Sequence, residues 1–213
     1  MQPSDLAGIL EFLRAAERLK TTYRSGFTSA GRSESVAEHT WRLCLMALVL
    51  QREFPEVDFA KLVTICIVHD LGEAIGGDVP APEQARRLAQ DPSAGKAAQE
   101  REDLLALLEP LPPALREEIT ALWDEYEAAV SPEARLAKAL DKLETIMQHT
   151  QGDNPPDFDY RFNLGYGRRF TADHPVIVSL RELLDQETER LANEAQTRPE
   201  LSATSGDPAK PER

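Results

Sequence analysis

Cysteine is scarce in this chain: Cys44 and Cys66 are the only two among 213 residues. They are not spaced as C-x-x-C, which excludes a zinc ribbon or a dithiol redox motif. Both sit in apolar stretches of helical period, where a free thiol is expected to pack as a small hydrophobe. Positive charge is short too. Lysine and arginine total 24 against 37 aspartates and glutamates, a net charge of -13, which argues against broad contact with nucleic acid or an anionic membrane surface. A small anionic substrate stays open, provided that a cation or a few arginines offset the acidic background locally. The first twenty residues, MQPSDLAGILEFLRAAERLK, contain no uncharged apolar stretch of the length a signal peptide or membrane span needs. A cytoplasmic protein is therefore expected. Sustained strand-like alternation is missing as well.

What remains is helix. Apolar residues recur at three- and four-residue spacing and predict helices over about 4–22, 35–53, 58–75, 81–90, 94–109, 112–129, 132–151 and 174–195, an all-α fold. Several starts carry a mechanism: Ser35-Val36-Ala37-Glu38 has the capping-box spacing, Asp58 precedes an apolar run, and Ser131-Pro132 sets a cap before a proline whose missing N–H is harmless there. With 41% hydrophobic residues the chain is long enough to bury one sizeable core, so a single domain over 1–195 is expected. Residues 152–173 break the helical pattern with prolines, glycines and aromatics. They read either as a lid or as a loop packed on itself. From 196 onward the sequence is poor in large apolar groups and is expected to be a disordered tail.

The stretch IVHDLGEAIGGD, from Ile67 to Asp78, continues an apolar run with His69, Asp70, Glu73 and Asp78. Bare charge in a core is costly. Two further helices repeat the pattern. His39 shares an inward stripe with Leu43, Met46 and Leu50, and Asp141 lies beside the stripe Leu136, Leu140, Leu143 and Met147. Two imidazoles and two carboxylates brought together make a mixed nitrogen and oxygen site for a divalent transition metal, which would compensate the carboxylates and acidify water. Each residue alone has a plainer reading: an inward histidine is most often a hydrogen-bonded core residue, Glu73 a solvated helix-end acid, Asp78 the cap of a turn and Arg24 a surface cation.

The segments ESVAEHTWRL, VHDLGEAIGGDVP and SPEARLAKALDKLETIMQ together resemble the HD-domain phosphohydrolase superfamily, and within it the 5′-deoxynucleotidase family. The resemblance runs in order from about 10 to 150 and includes LWDEYE at 122–127. It implies an all-helical HD-domain bundle, usually dimeric, with one divalent cation held in the pattern H…HD…D. By position that pattern falls on His39, His69, Asp70 and Asp141. It further implies Glu73 as the catalytic carboxylate that handles protons, Asp78 as a catalytic and sugar-proximal carboxylate, and Arg24 as the phosphate contact. In some relatives an aromatic residue directly follows that arginine. Here Ser25 follows, and the choice between deoxyribose and ribose stays open.

The function so implied is metal-dependent hydrolysis of a nucleoside 5′-monophosphate to nucleoside and phosphate, by a cytoplasmic homodimer using Mn2+ or Co2+, with Fe2+, Zn2+ or Mg2+ as alternatives. Its rivals are an HD phosphohydrolase acting on another nucleotide-like or phosphodiester substrate, and a metal-dependent nucleotide-binding regulatory module without turnover. With four histidines, two of them (His149 and His174) outside the motif positions, one metal is the better reading than a histidine-rich pair. Lys142, next to Asp141, is expected to make a salt bridge. Trp41 and Trp123 are expected in core or dimer packing.

Overall fold

The fold was read from a computed structural model, which describes residues 2–80, 83, 86 and 96–197. Of the tail expected from 196, residues 196 and 197 belong to the last helix; the rest of it and, but for residues 83 and 86, the expected helix over 81–90 lie outside the described residues. The helices run α1 Pro3–Ala16, α2 Val36–Leu50, α3 Phe59–Val68, α4 Glu73–Gly76, α5 Lys96–Leu108, α6 Pro113–Ala128, α7 Pro132–Gln151, α8 Phe162–Gly165 and α9 Pro175–Thr197. A short hairpin, β1 Tyr23–Phe27 and β2 Ser33–Ser35, separates α1 from α2. Among the described residues no helix is long and apolar enough to cross a membrane.

The starts follow from the local chemistry. The Ser35 hydroxyl accepts from the Glu38 amide, and the Glu38 carboxylate accepts from the Ser35 amide, so two otherwise orphaned donors at the head of α2 are satisfied reciprocally. Asp58 caps α3 through the Lys61 amide and Ser131 caps α7 through that of Ala134. Helix α7 is the axis of the fold, packing against α2, α3, α6, α9 and β1. Its stripe Leu136, Leu140 and Leu143 meets Leu43 and Ala47 of α2, Leu62, Ile65 and Cys66 of α3, and Ile177 of α9. A second apolar cluster gathers Val68, Leu71, Leu104, Leu107, Leu108 and Trp123. The segment of α3 and the turn after it feeds both clusters, which fixes where its polar end emerges.

Two expectations are corrected. The pair of strands was not legible: YRSGF has no alternation, and its pairing with SES (Tyr23 opposite Ser35, Phe27 opposite Ser33) is antiparallel with an irregular register. What holds β1 is α7. A side chain at Gly26 would place its Cβ 3.0 Å from Gln148 Cγ and 3.3 Å from His149 Cδ2, so the strand lies against α7 at a distance where any larger residue would have to push those side chains aside by a few tenths of an ångström. The helix expected over 58–75 is also not continuous. It ends at Val68, and the chain turns through amides that reach three residues back, Leu71 to Val68, Glu73 to Asp70 and Ala74 to Leu71, before the single turn of α4. Gly77, at φ +76°, then takes a left-handed conformation that disfavours other residues. Within residues 152–173, α8 and a 3-10 turn at 168–170 are pinned by Arg181 of α9, whose guanidinium donates to the carbonyls of Asn163, Leu164 and Tyr166.

Candidate metal centre

Each donor is delivered by a helix end or a helix face. His39 sits one turn into α2, completely buried. His69 closes α3, and its backbone carbonyl is held by the indole N–H of Trp123 at 3.1 Å, so the HD turn is anchored from α6. Asp141 projects from the middle of α7 and is buried. Both imidazoles have their Nδ1 facing an atom that can only accept: the Glu144 carboxylate for His39, and the Cys66 carbonyl at 2.8 Å for His69. Nδ1 therefore carries the proton on both rings, and Nε2 is left with a lone pair.

Those two Nε2 atoms are buried and, among the described residues, make no hydrogen bond. They nevertheless point at carboxylate oxygens. His69 Nε2 lies 3.0 Å from Asp70 Oδ2, and His39 Nε2 lies 3.8 Å from the same oxygen and 3.4 Å from Asp141 Oδ1. The donor atoms of His39, His69 and Asp70 all fall within 4.8 Å of one another. Buried polar atoms left without partners are rare in native folds and need an explanation. Two imidazole lone pairs beside carboxylate oxygens are the donor set that fits a divalent transition metal.

The electrostatics agree. Burial and the Arg24 charge push the His39 imidazolium down, but Glu144 and Asp141 outweigh them and raise its pKa to about 10. Burial pushes Asp70 up, yet His69, Arg24 and His39 hold it well below the usual carboxylate range; Asp141 is held low against burial by Lys142 and both histidines. The pocket thus demands positive charge. A proton and a cation would compete for the one lone pair of His39 Nε2.

Arg24, on β1, is half-buried at this cluster. Its guanidinium donates to Asp70 Oδ2 at 3.2 Å and to the Thr145 hydroxyl at 3.1 Å. Burial alone would lower its pKa, but Asp70, Asp78, Glu73 and Asp141 together raise it well above the ordinary value, which places Glu73 and Asp78 within electrostatic reach of the same cation. Glu73 is buried at the start of α4 and Asp78 is half-buried beyond Gly77. Lys142 makes the expected ion pair, 2.8 Å from Asp141 Oδ2, an oxygen that also accepts from the Tyr126 hydroxyl at 2.8 Å.

A second acidic group, Glu34, His39 and Glu144, also lies within ligand distance. It already has its cation: Arg42 sits 2.7 Å from Glu144 through Nε and 3.7 Å from Glu34. A cavity of about 190 Å³ lined by Phe54, Arg135, Phe170, His174 and Ile177 contains none of the centre's donors, and we assign the site by its donors.

The arginines of residues 152–173 do not reach the centre. Arg161 donates to Asn193 and Gln196, Arg168 pairs with Asp185, and Arg169 lies over the Phe170 ring. Trp123 is core, whereas Trp41 is 66% exposed and belongs to neither apolar cluster of the described residues. The residues that sequence reading missed are Glu144, Thr145, Gln148, Arg42 and Tyr126. A signal existed, since Asp141, Glu144, Thr145 and Gln148 fall at the i, i+3, i+4, i+7 spacing of one helix face, but a polar stripe adjoining an apolar one reads as a solvated flank.

Three comparisons bear on this geometry. The 5′-deoxynucleotidase HDDC2 of Mus musculus is 33% identical over 194 residues, covering 89% of this chain and 92% of the relative. The 5′-deoxynucleotidase hdd1 of Schizosaccharomyces pombe is 32% identical over 154 residues, covering 70% of this chain and 74% of its own. A crystal structure described as a predicted metal-dependent phosphohydrolase from Magnetospirillum magnetotacticum superposes with a TM-score of 0.72 at 27% identity, over 89% of this chain and 98% of that one. Residues 16–179 match the family model of the HD domain, and with the histidine-aspartate turn and its helical frame in place, the chain belongs to the HD-domain family.

Proposed function

We propose that this chain is a metal-dependent phosphomonoesterase that hydrolyses nucleoside 5′-monophosphates, 5′-deoxynucleotides first, to nucleoside and inorganic phosphate. The relatives' names support the substrate class, and one observation carries the site: two buried Nε2 lone pairs converge on two carboxylates with no hydrogen bond of their own among the described residues. His39, His69, Asp70 and Asp141 are the side chains that would hold one divalent cation, Mn2+ or Co2+ by resemblance. Such a cation supplies Lewis-acid polarisation of the phosphoryl group and lowers the pKa of water.

The chain's own residues do the rest. Arg24 presents a half-buried, permanently charged fork of donors to the phosphate dianion, a role in which geometry matters as much as charge. Glu73, at the lip of the HD turn, takes the proton of the attacking water and returns one to the leaving 5′-oxygen. Asp78 orders the sugar end and the water beside it. Lys142 stays on Asp141 and leaves that carboxylate's other oxygen to the centre. No covalent intermediate on the protein is required, because phosphoryl transfer needs chiefly positioning and charge stabilisation.

We propose further that the chain pairs as a homodimer, and one surface supports this. From Leu43 to Leu50 helix α2 carries only apolar side chains, and Trp41, Leu45, Leu48 and Val49 lie exposed on its outer side; an apolar helix face of that kind is normally covered. On a chain of net charge -13, an uncharged stripe is where a second copy can approach. Light scattering that returns the mass of a single chain at micromolar concentration would remove the dimer. The decisive assay for function is phosphate release from a panel of 5′-deoxynucleotides, ribonucleotides and phosphodiesters, with Mn2+ or Co2+ and again with chelator. The expected result is metal-dependent release from 5′-monophosphates; tight nucleotide binding without release under any divalent ion would establish the binding-module reading instead.

A further inference from the structure

We infer that Glu144 is a positioning residue of the centre, acting through His39: it fixes which imidazole nitrogen faces the carboxylates and locks the ring that bears it. The inference rests on the one-ion reading above and extends it to a residue that touches neither ion nor substrate. Glu144 is fully buried, and a buried carboxylate has to be compensated. It has two partners, His39 Nδ1 on one oxygen and Arg42 Nε at 2.7 Å on the other. Because a carboxylate only accepts, His39 must donate from Nδ1, and the lone pair is forced onto Nε2, the atom 3.4 Å from Asp141 Oδ1.

Glu144 is itself held from behind. The remaining Arg42 nitrogens donate to the side-chain carbonyls of Gln148 and, at 3.1 Å, Gln151, while the Gln148 amide donates to the carbonyl of Phe27 at the end of β1. Thr145, on the same face of α7, accepts from Arg24 of that strand. One polar stripe therefore sets the histidine on α2 and the arginine on β1 in a common frame. Were Glu144 present only to satisfy the fold, its removal would lower stability and leave the affinity of the folded protein for a cation unchanged.

The test uses the full chain and the apparent Kd for Zn2+, which suits the nitrogen and oxygen donor set, read by competition with a chromophoric chelator. Glu144→Ala is expected to bind Zn2+ more weakly by roughly 10- to 100-fold, the usual cost of losing a histidine's outer partner. Glu144→Gln, whose amide oxygen still accepts from Nδ1–H, is expected to restore near wild-type affinity. In the Zn2+-loaded protein the His39 Nδ1 proton should give a hydrogen-bonded low-field NMR signal in wild type and Glu144→Gln, and lose it in Glu144→Ala. Should Glu144→Ala not fold, Glu144→Asp decides: it keeps the charge beside Arg42 but withdraws the acceptor by one methylene, and the same loss of affinity is expected. Wild-type affinity and an intact Nδ1 signal in Glu144→Ala, or in Glu144→Asp where the alanine variant does not fold, overturn the inference. His39→Ala separates the two layers: if it also binds Zn2+ like wild type, the one-ion reading itself is wrong, whereas a loss confined to His39→Ala overturns only the role of Glu144.

Discussion

The centre around His39 and the corner around His149 are built alike and do opposite things. Both imidazoles are buried, and both donate from Nδ1 to an acceptor, His39 to Glu144 and His149 to Asn163 Oδ1 at 2.8 Å. At His149 the acceptor is a neutral amide and the ring is walled by Phe158, centroids 5.0 Å apart; burial pushes its pKa down and keeps it neutral. At His39 the neighbours are carboxylates, and the pKa goes up to about 10 despite complete burial. Burial thus decides nothing by itself. An excess of anionic acceptors around a buried ring separates a cation site from a packed core histidine.

The sharpest way to break this comparison is to remove one imidazole at each place. His39→Ala should lose metal-dependent phosphate release by on the order of 10⁴-fold, about 5 kcal/mol of transition-state stabilisation, measured as kcat/KM on a 5′-deoxynucleotide. Equal activity at saturating metal would put His39 with His149. Next in size, Glu73→Gln should reduce kcat by roughly 10²- to 10⁴-fold, the range of a lost proton-transfer group, while metal stoichiometry stays at one per chain. A variant that loses its metal instead would mark Glu73 as a ligand. Arg24→Met should lower kcat/KM by about 10²- to 10³-fold, as removal of a charge-stabilising donor does, and Arg24→Lys should recover only part, since a point charge lacks the fork.

The smallest effect lies at the other histidine. His149→Gln should leave metal content and kcat near wild type and cost about 1–3 kcal/mol of stability through the disturbed Asn163 bond, read by denaturant unfolding. Its pH signature has a definite sign. The fold holds His149 neutral, while the unfolded chain protonates it below its ordinary 6.5. The unfolded state then binds more protons, and stability falls on acidification just below pH 6.5, by up to about 1.4 kcal/mol per pH unit. Glu34, raised to about 7 by burial and Glu144, contributes in the opposite direction in both proteins, so the wild-type-minus-variant difference is the quantity to follow. A difference independent of pH between 5 and 7 would contradict the neutral assignment.

Sequence period and capping chemistry were enough to read the helices that carry the donors, because the Ser35 box, the Asp58 cap and the leucine stripe of α7 are local signals. The HD turn was only half legible. His69 and Asp70 were readable as polar groups at the end of an apolar helix, but the tight turn that replaces the helix after Val68 depends on Trp123 of α6, far along the chain. The hairpin bearing Arg24 was not legible, since its hold is the close approach of Gly26 to α7. Glu144 escaped for the same reason: its partners, His39 and Arg42, are about a hundred residues away, and only folded contact distinguishes it from an ordinary helix-flank acid.

The claim that two histidines and two aspartates form one cation site is tested most directly by anomalous diffraction from crystals of the full chain grown with Mn2+ or Co2+. The account predicts a single peak per chain bounded by His39 Nε2, His69 Nε2, Asp70 and Asp141. A peak instead at Glu34 and Glu144, or full occupancy elsewhere with those two imidazole nitrogens still bare, would contradict it.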